Sequence, residues 1–447
     1  METTLIQNAE IITMNDQLDI VYGDLLIEDN KIAKIGDDLT NDIHWNTRVI
    51  DGTGKTVLPG FVQTHIHLCQ TLFRGQADDM ELLDWLKKKM WPLEAAHDPE
   101  SLYYSAKLGI GELIQGGTTT IMDMETVHHT NAAFEAMADS GIRALSGKVM
   151  MDLGEDLPSA LLEETEQSIS ESIDLLNKWH GYDNNRIQYA FCPRFVVSCT
   201  EDLLMRVRDL SDYYNVLVHT HASENKEEVS IVEDRHGMRN VEYLDYIGLA
   251  TERLVLAHCI WLSEREKQII RDRNVRMTHC PGSNLKLASG IADVYELSQQ
   301  GSSISLGADG ASCNNNLDMF QEMRLAALLP KPYHGPASMP AKEVLKMATT
   351  SGAKALGMEN DIGSLEVGKK ADLFLLDLKN FHSYPQETVD PISRVVYSAS
   401  AQDVETTIID GKVVMENRDM KTMDKDKVLE QSNISIKRLV SQLTNIV

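Results

Sequence analysis

No two of the six cysteines in this 447-residue chain stand three apart as a CxxC pair. They are Cys69, Cys192, Cys199, Cys259, Cys280 and Cys313, most of them inside apolar runs beside histidine or proline. That excludes a CxxC-type zinc or redox motif and reads as buried, reduced thiols of a cytoplasmic protein, not a disulfide framework. Also missing is any run of about 18 apolar residues, so no membrane span is expected. The opening "METTLIQNAEIITMNDQLDI" lacks a basic segment followed by an apolar one, so no signal peptide is expected. Positive charge is short: 42 Lys and Arg face 68 Asp and Glu, a formal charge of -26. Such a surface repels nucleic acid polymers and anionic membranes, but not an uncharged nucleobase. Internal repeats and low-complexity segments are absent as well.

What is present is an ordinary globular composition, 43% hydrophobic and 25% charged, in a chain long enough for a large core with a smaller appended unit. Residues 1–57 alternate short Val/Ile/Thr-rich runs with turns. The same texture returns in "KKADLFLLDL" and "VETTIIDGKVVMENRDM", where Asp410-Gly411 is a hairpin-turn signal. A β-sandwich built from both termini, residues 1–57 plus 363–447, is therefore expected. Between them, over 58–362, short apolar runs such as "TTTIMDM", "VLVHTHAS", "RLVLAHC" and "SISLGADG" alternate with stretches of helical length. One is "PESLYYSAKLGIGELIQGG", stopped by paired glycines. Strand–helix alternation on this scale predicts an α/β fold, a (β/α)8 TIM-type barrel, with a doubly wound sheet as the runner-up.

In a barrel, chemistry gathers where strands end. Here "FVQTHIH" ends in His65 and His67, "NVLVHTHASE" in His219 and His221 with Glu224 three residues on, "RLVLAHC" in His258, "VRMTHC" in His279 and "SISLGAD" in Asp309. Residues two apart on a strand share a face, so His65 and His67 can address one point, as can His219 and His221. A lone histidine at a strand end is usually just a satisfied polar residue. Five strand ends all supplying His or Asp favour a divalent metal, zinc first and iron or manganese second.

The order HxH, HxxE, His, Asp, with "LPGFVQTHIH", "HASE", "LAHC", "HCPGSNLKLASG" and "LGADG", resembles the amidohydrolase superfamily over nearly the whole chain. The resemblance is to the aminohydrolase branch of adenosine-type deaminases, guanine deaminases and triazine hydrolases. It implies a single metal ion held by His65, His67, His221 and Asp309, with His258 orienting the attacking water. Glu224 would carry protons, and Asp309 would accept one as well as bind metal. It also implies a homo-oligomer acting on a small N-heterocycle.

For the substrate, the resemblance points in two directions. "DWLKKKMWPLEA" aligns Trp85 and Glu94 with residues that meet a nucleoside, the carboxylate on the ribose hydroxyls. "AFCPRF" and Gln70 instead look like guanine deaminase, with Arg194 on a purine carbonyl. The leading expectation is a deaminase of an adenosine-like nucleoside such as 5'-deoxyadenosine, methylthioadenosine or S-adenosylhomocysteine. A guanine-type deaminase, a triazine chlorohydrolase or aminohydrolase, and a catalytically silent metabolite-binding barrel are the alternatives. His279 and Asn284 either line the pocket or fix its loop.

Overall fold

The structure, a computed structural model, describes residues 2–154 and 156–444. The apolar runs of the middle segment form eight parallel strands among the described residues: β1 (Phe61–His67), β2 (Thr118–Met124), β3 (Arg143–Gly147), β4 (Ile187–Tyr189), β5 (Val218–Ala222), β6 (Leu254–His258), β7 (Arg276–His279) and β8 (Ser303–Leu306). β1 to β4 pair in sequence order, as do β5 to β8. The two groups join where Phe191 bridges Val218. On the other side Asp309 pairs with Ile66, and the Thr64 hydroxyl binds Ser305 Oγ at 2.7 Å and Leu306 O at 3.1 Å. The ring of strands is thus closed, a (β/α)8 barrel. β1 and β2 are buried along their whole length although each carries several polar residues, so those side chains must find partners inside the protein.

Each strand is followed by helix. The helix Pro99–Gln115 starts at Asp98, whose carboxylate accepts Ser101 N–H while Ser101 Oγ binds back, and it stops at Gly116 and Gly117. This is the element the sequence predicts over 99–117.

The two ends of the chain contribute to one nine-stranded sheet. Its order runs from Asp419–Met420 through Lys412–Glu416, Val404–Ile409, Leu373–Asp377, Lys55–Pro59, Thr3–Ile12 and Ile20–Glu28 to Lys31–Gly36, with Arg48–Asp51 beside Thr3–Ile12. The first half of Thr3–Ile12 pairs with Arg48–Asp51 and the second half with Lys55–Pro59, so this strand passes between two layers. Ile6, Ile11, Leu25, Ile50, Leu373 and Ile408 from both layers share one apolar cluster. That is a sandwich made by folding one sheet over itself. Asp410 and Gly411 turn the predicted hairpin with φ of 50° and 76°, both in the left-handed region that a two-residue turn of this kind requires. Arg143 on β3 ties sheet to barrel through a buried ion pair with Asp372, Nε to Oδ2 at 2.6 Å.

The final helix, Lys425–Thr444, leaves the sheet and lies on the barrel. Arg438 reaches Asp98 Oδ1 at 2.8 Å and Glu100 Oε2 at 3.0 Å, and Leu439 is fully buried.

Candidate active site

Four imidazoles and one carboxylate meet at the C-terminal mouth of the barrel. His67 Nε2 lies 3.2 Å from His221 Nε2, and Asp309 Oδ1 lies 3.4 Å from His65 Nε2 and 3.3 Å from His67 Nε2. His258 Nε2 stands 3.8 Å from Asp309 Oδ2. Asp309 is delivered here because its short strand pairs with the end of β1. Gly307, just before it, packs so closely that a Cβ there would sit 2.5 Å from His65 O.

Hydrogen bonds on the far side of each ring fix which nitrogen faces inward. His67 Nδ1 lies 2.7 Å from Met124 O and His221 Nδ1 2.7 Å from Arg194 O; a carbonyl only accepts, so both Nδ1 atoms carry the proton. His219 Nδ1 faces Val255 O at 3.0 Å, which leaves its Nε2 as acceptor for His65 Nδ1 at 2.7 Å. Asn284 Oδ1 takes His258 Nδ1 at 2.8 Å. The inward Nε2 atoms of His65, His67 and His221 therefore present lone pairs. The Nε2 atoms of His65 and His258 have no hydrogen-bond partner, although fully buried. Burial holds His65 and His221 below the usual imidazole range and His67 down to about 4, so they are neutral at pH 7.

Lone pairs and a carboxylate oxygen crowded at 3.2–3.4 Å repel one another. A cation with donor bonds of about 2.1 Å has donor atoms roughly 3.0–3.4 Å apart, so the spacing matches a bound divalent ion. The outward hydrogen bonds are the kind that orient metal-binding histidines. His65, His67, His221 and Asp309 thus fit a metal, and the set of nitrogen and oxygen donors suits zinc, iron or manganese. Ser283 Oγ donates to Asp309 Oδ2 at 2.7 Å.

Glu224 stands at the edge of this cluster, its Oε2 3.5 Å from His258 Nε2. Burial pushes its carboxyl up to about 7; the nearby His258 opposes the shift and Asp309 adds to it. His258 moves the other way from most buried imidazoles, because Glu224 and Asp309 outweigh its burial and raise it. Ser289 Oγ donates to Glu224 Oε1 at 3.2 Å, and Glu228 Oε2 accepts Glu224 N–H at 2.7 Å. Ser223, His258 and Asp309 all have positive φ, 55°, 72° and 63°. Non-glycine residues held there store strain, and such strain collects at functional sites.

The pocket above the cluster is lined by Trp85, Leu86, Phe195 and Leu287, with Gln70 and Arg194 at one side. Trp85 sits where the chain passes from the helical turn Leu82–Trp85 into a π-helical turn, Leu86–Met90. Gln70, Glu94 and Arg194 form one buried network. Arg194 Nη1 meets Glu94 Oε2 at 2.6 Å and Nη2 meets Oε1 at 3.1 Å, while Gln70 Nε2 donates to Oε1 at 2.8 Å. Ser312 Oγ donates to Gln70 Oε1 at 2.7 Å. Arg194 holds the Glu94 carboxyl below its usual range although burial alone would raise it.

Of the residues named from the sequence, His67, Gln70, Trp85, Arg194, His221, Glu224, His258 and Asp309 line this pocket, and His65 and Glu94 contact residues that do. His219 is behind His65, and Asn284 behind His258. His279 is buried, and neither ring nitrogen has a partner among the described residues. The sequence did not single out Ser283, Ser289 or Met124. Two of them lie in "HCPGSNLKLASG", so the signal was present, but strand-end spacing says nothing of a helix that caps a barrel.

The chain is 43% identical to a 5'-deoxyadenosine deaminase of Methanobrevibacter smithii over 438 residues, 98% of each chain. It is 40% identical to a 5-methylthioadenosine/S-adenosylhomocysteine deaminase of Syntrophomonas wolfei, covering 98% of this chain and 99% of the relative. A zinc-bound adenosine deaminase from Xanthomonas campestris has the same fold, with a TM-score of 0.91, 31% identity and 98% of each chain covered. Residues 56–414 match the sequence pattern of the Amidohydrolase family, and this chain belongs to that family.

Proposed function

We propose that this protein is a metal-dependent hydrolytic deaminase that releases ammonia from an adenosine-like nucleoside. 5'-Deoxyadenosine, methylthioadenosine and S-adenosylhomocysteine head the candidates, since those names belong to the full-length relatives. Residues 58–362 form the catalytic barrel in this reading, with 1–57 and 363–447 supporting it. His65, His67, His221 and Asp309 hold one divalent ion. Zinc is favoured because the 31%-identical neighbour carries it and the donors suit it. When bound, such an ion is a Lewis acid that lowers the pKa of water from about 15.7 to about 7.

The observation that carries the reading is Glu224 Oε2, 3.5 Å from His258 Nε2 at the edge of the donor cluster. Water adds to the ring carbon that bears the amino group, and ammonia leaves, so a purine amine and water become an oxo-purine and ammonia. A group must take a proton from the water, give one to the ring nitrogen and protonate the departing amine. Glu224 does this at Oε2, while Ser289 and the Glu224 N–H bond to Glu228 fix its position. His258 Nε2 hydrogen-bonds the attacking water and aims it, its ring held by Asn284. Asp309 Oδ2, beside His258, takes the remaining proton from the added hydroxyl, and this proton passes to the departing amine. Trp85, Phe195 and Leu287 give the flat ring apolar walls and exclude bulk water.

A second reading rests on the Gln70–Glu94–Arg194 network. Arg194 already neutralises the carboxylate that would otherwise meet ribose hydroxyls, and its remaining N–H groups line the pocket. A base with a carbonyl next to a ring nitrogen, as in guanine, fits such donors. Glu224→Gln tests both readings. Ammonia release from 5'-deoxyadenosine or guanine should fall about 10²–10⁴-fold while bound metal, measured by atomic emission, stays at the wild-type level. Near-normal turnover in that variant removes Glu224 from the mechanism.

A further inference from the structure

A cavity of ≈ 240 Å³ that shares no lining residue with the pocket above the metal cluster lies between the helix Pro99–Gln115 and the start of the helix Lys425–Thr444. Its apolar walls include Leu108, Met420, Met423 and Val428. Its lining includes three basic residues, Arg74, Lys107 and Lys425, and one acidic one, Glu112. In a chain of net charge -26 this lining has the opposite sign.

The lone carboxylate is already occupied. Glu112 pairs with Arg74 and accepts Leu317 N–H at 2.9 Å. Lys107 is not so provided. It is 5% exposed, and its ammonium makes one hydrogen bond, to Ser140 Oγ at 3.2 Å, and no ion pair among the described residues. The Tyr103 ring lies 5.7 Å away, and Asp139, whose charge it feels, takes the Tyr103 hydroxyl at 2.9 Å. A buried ammonium with unused N–H donors is costly unless an anion reaches it. Lys425 is exposed, has no ion pair among the described residues, and sits at the positive end of a 20-residue helix.

Gly111 adds an independent sign. A glycine within a helix is destabilising relative to alanine. Gly109 on the same helix is explained by contact, since a Cβ there would lie 2.7 Å from Thr71 Oγ1. At Gly111 a Cβ would meet only Met423 Sδ, at 3.3 Å, so the missing side chain keeps the cavity open.

We infer that this cavity binds a small organic anion with an apolar body, its carboxylate-like head among Arg74, Lys107 and Lys425 and its tail against the methionines. The site connects to the pocket through Arg74. Arg74 Nη1 donates to Asn315 O at 2.8 Å, and Arg74 directly follows the turn Leu68–Phe73 that carries Gln70. An anion that draws Arg74 away from Glu112 disturbs both segments that hold Gln70.

Calorimetric titration of the metal-loaded enzyme with octanoate tests this, with octylammonium as the opposite-charge control. Saturable binding of octanoate at one site is expected, and none of octylammonium. Lys425→Gln, an exposed change that leaves the fold intact, and Lys107→Met should each weaken octanoate about tenfold, and Gly111→Leu should block it. Octanoate should also change KM for the deaminated substrate in the wild type and not in Gly111→Leu. No saturable binding, equal binding of octylammonium, or full affinity in both lysine variants overturns the inference.

Discussion

His65 Nδ1 lies 2.7 Å from His219 Nε2, and His219 Nδ1 lies 3.0 Å from Val255 O. This relay fixes His65 with its Nε2 lone pair turned toward Asp309 and places His219 behind that ring, outside the donor cluster. His219→Phe should lower metal affinity about 10–100-fold, the usual effect of losing such a partner. Competition with a chelator measures it. His219→Gln, which retains an acceptor, should recover part of the loss; equal affinity in all three proteins would show that the relay is inert.

Arg194 and Glu94 are both buried, so removing one partner strands the other. Arg194→Met should cost about 3–5 kcal/mol in urea unfolding. The double variant Arg194→Met/Glu94→Met should recover most of it, because no charge is left unpaired. If the single and double variants are equally unstable, the pair is not the source of the effect.

His97 offers a test of acid stability. Burial drives it down to about 4 from 6.5, with Glu94 and Asp98 opposing and His129 adding to the shift. Below pH 6.5 the unfolded chain gains a proton that the folded one refuses, so stability falls as pH drops from 6.5 to 4 and the loss is complete below 4. A gap of about 2.5 corresponds to about 3 kcal/mol. The slope of unfolding free energy against pH over that window should be shallower in His97→Gln. An unchanged slope would mean that His97 is not buried as described.

Gly307 faces the backbone of His65, where a Cβ would come 2.5 Å from O and 2.9 Å from N. Gly307→Ala should destabilise the protein by about 1–3 kcal/mol and weaken metal binding, because backbone on both sides must move. Thermal unfolding together with metal analysis checks both.

Strand alternation made His65 and His67 legible as a pair, and the recurrence of His and Asp at strand ends pointed to a shared mouth. The same rule could not separate His219 from His221, which both end β5. The difference arises from what lies beyond each ring: Val255 O and His65 for one, Arg194 O and the donor cluster for the other. Likewise Gln70, Glu94 and Arg194 were each legible alone, but their joining into one network depends on a contact spanning 100 residues. Positive φ at His258 and Asp309 was not legible: Asp and His tolerate that region better than most residues, but a lone one at a strand end does not mark it. The Asp410-Gly411 turn was legible because there the backbone demand does select the residues.

The most direct test is ammonia release by the zinc-loaded wild-type protein, with 5'-deoxyadenosine, methylthioadenosine, S-adenosylhomocysteine and guanine compared at equal concentration. The account predicts metal-dependent turnover, abolished by chelation and restored by the metal, with the adenosine-like nucleosides ahead of guanine. Release of no ammonia from any of them, with zinc, iron or manganese supplied, would contradict it.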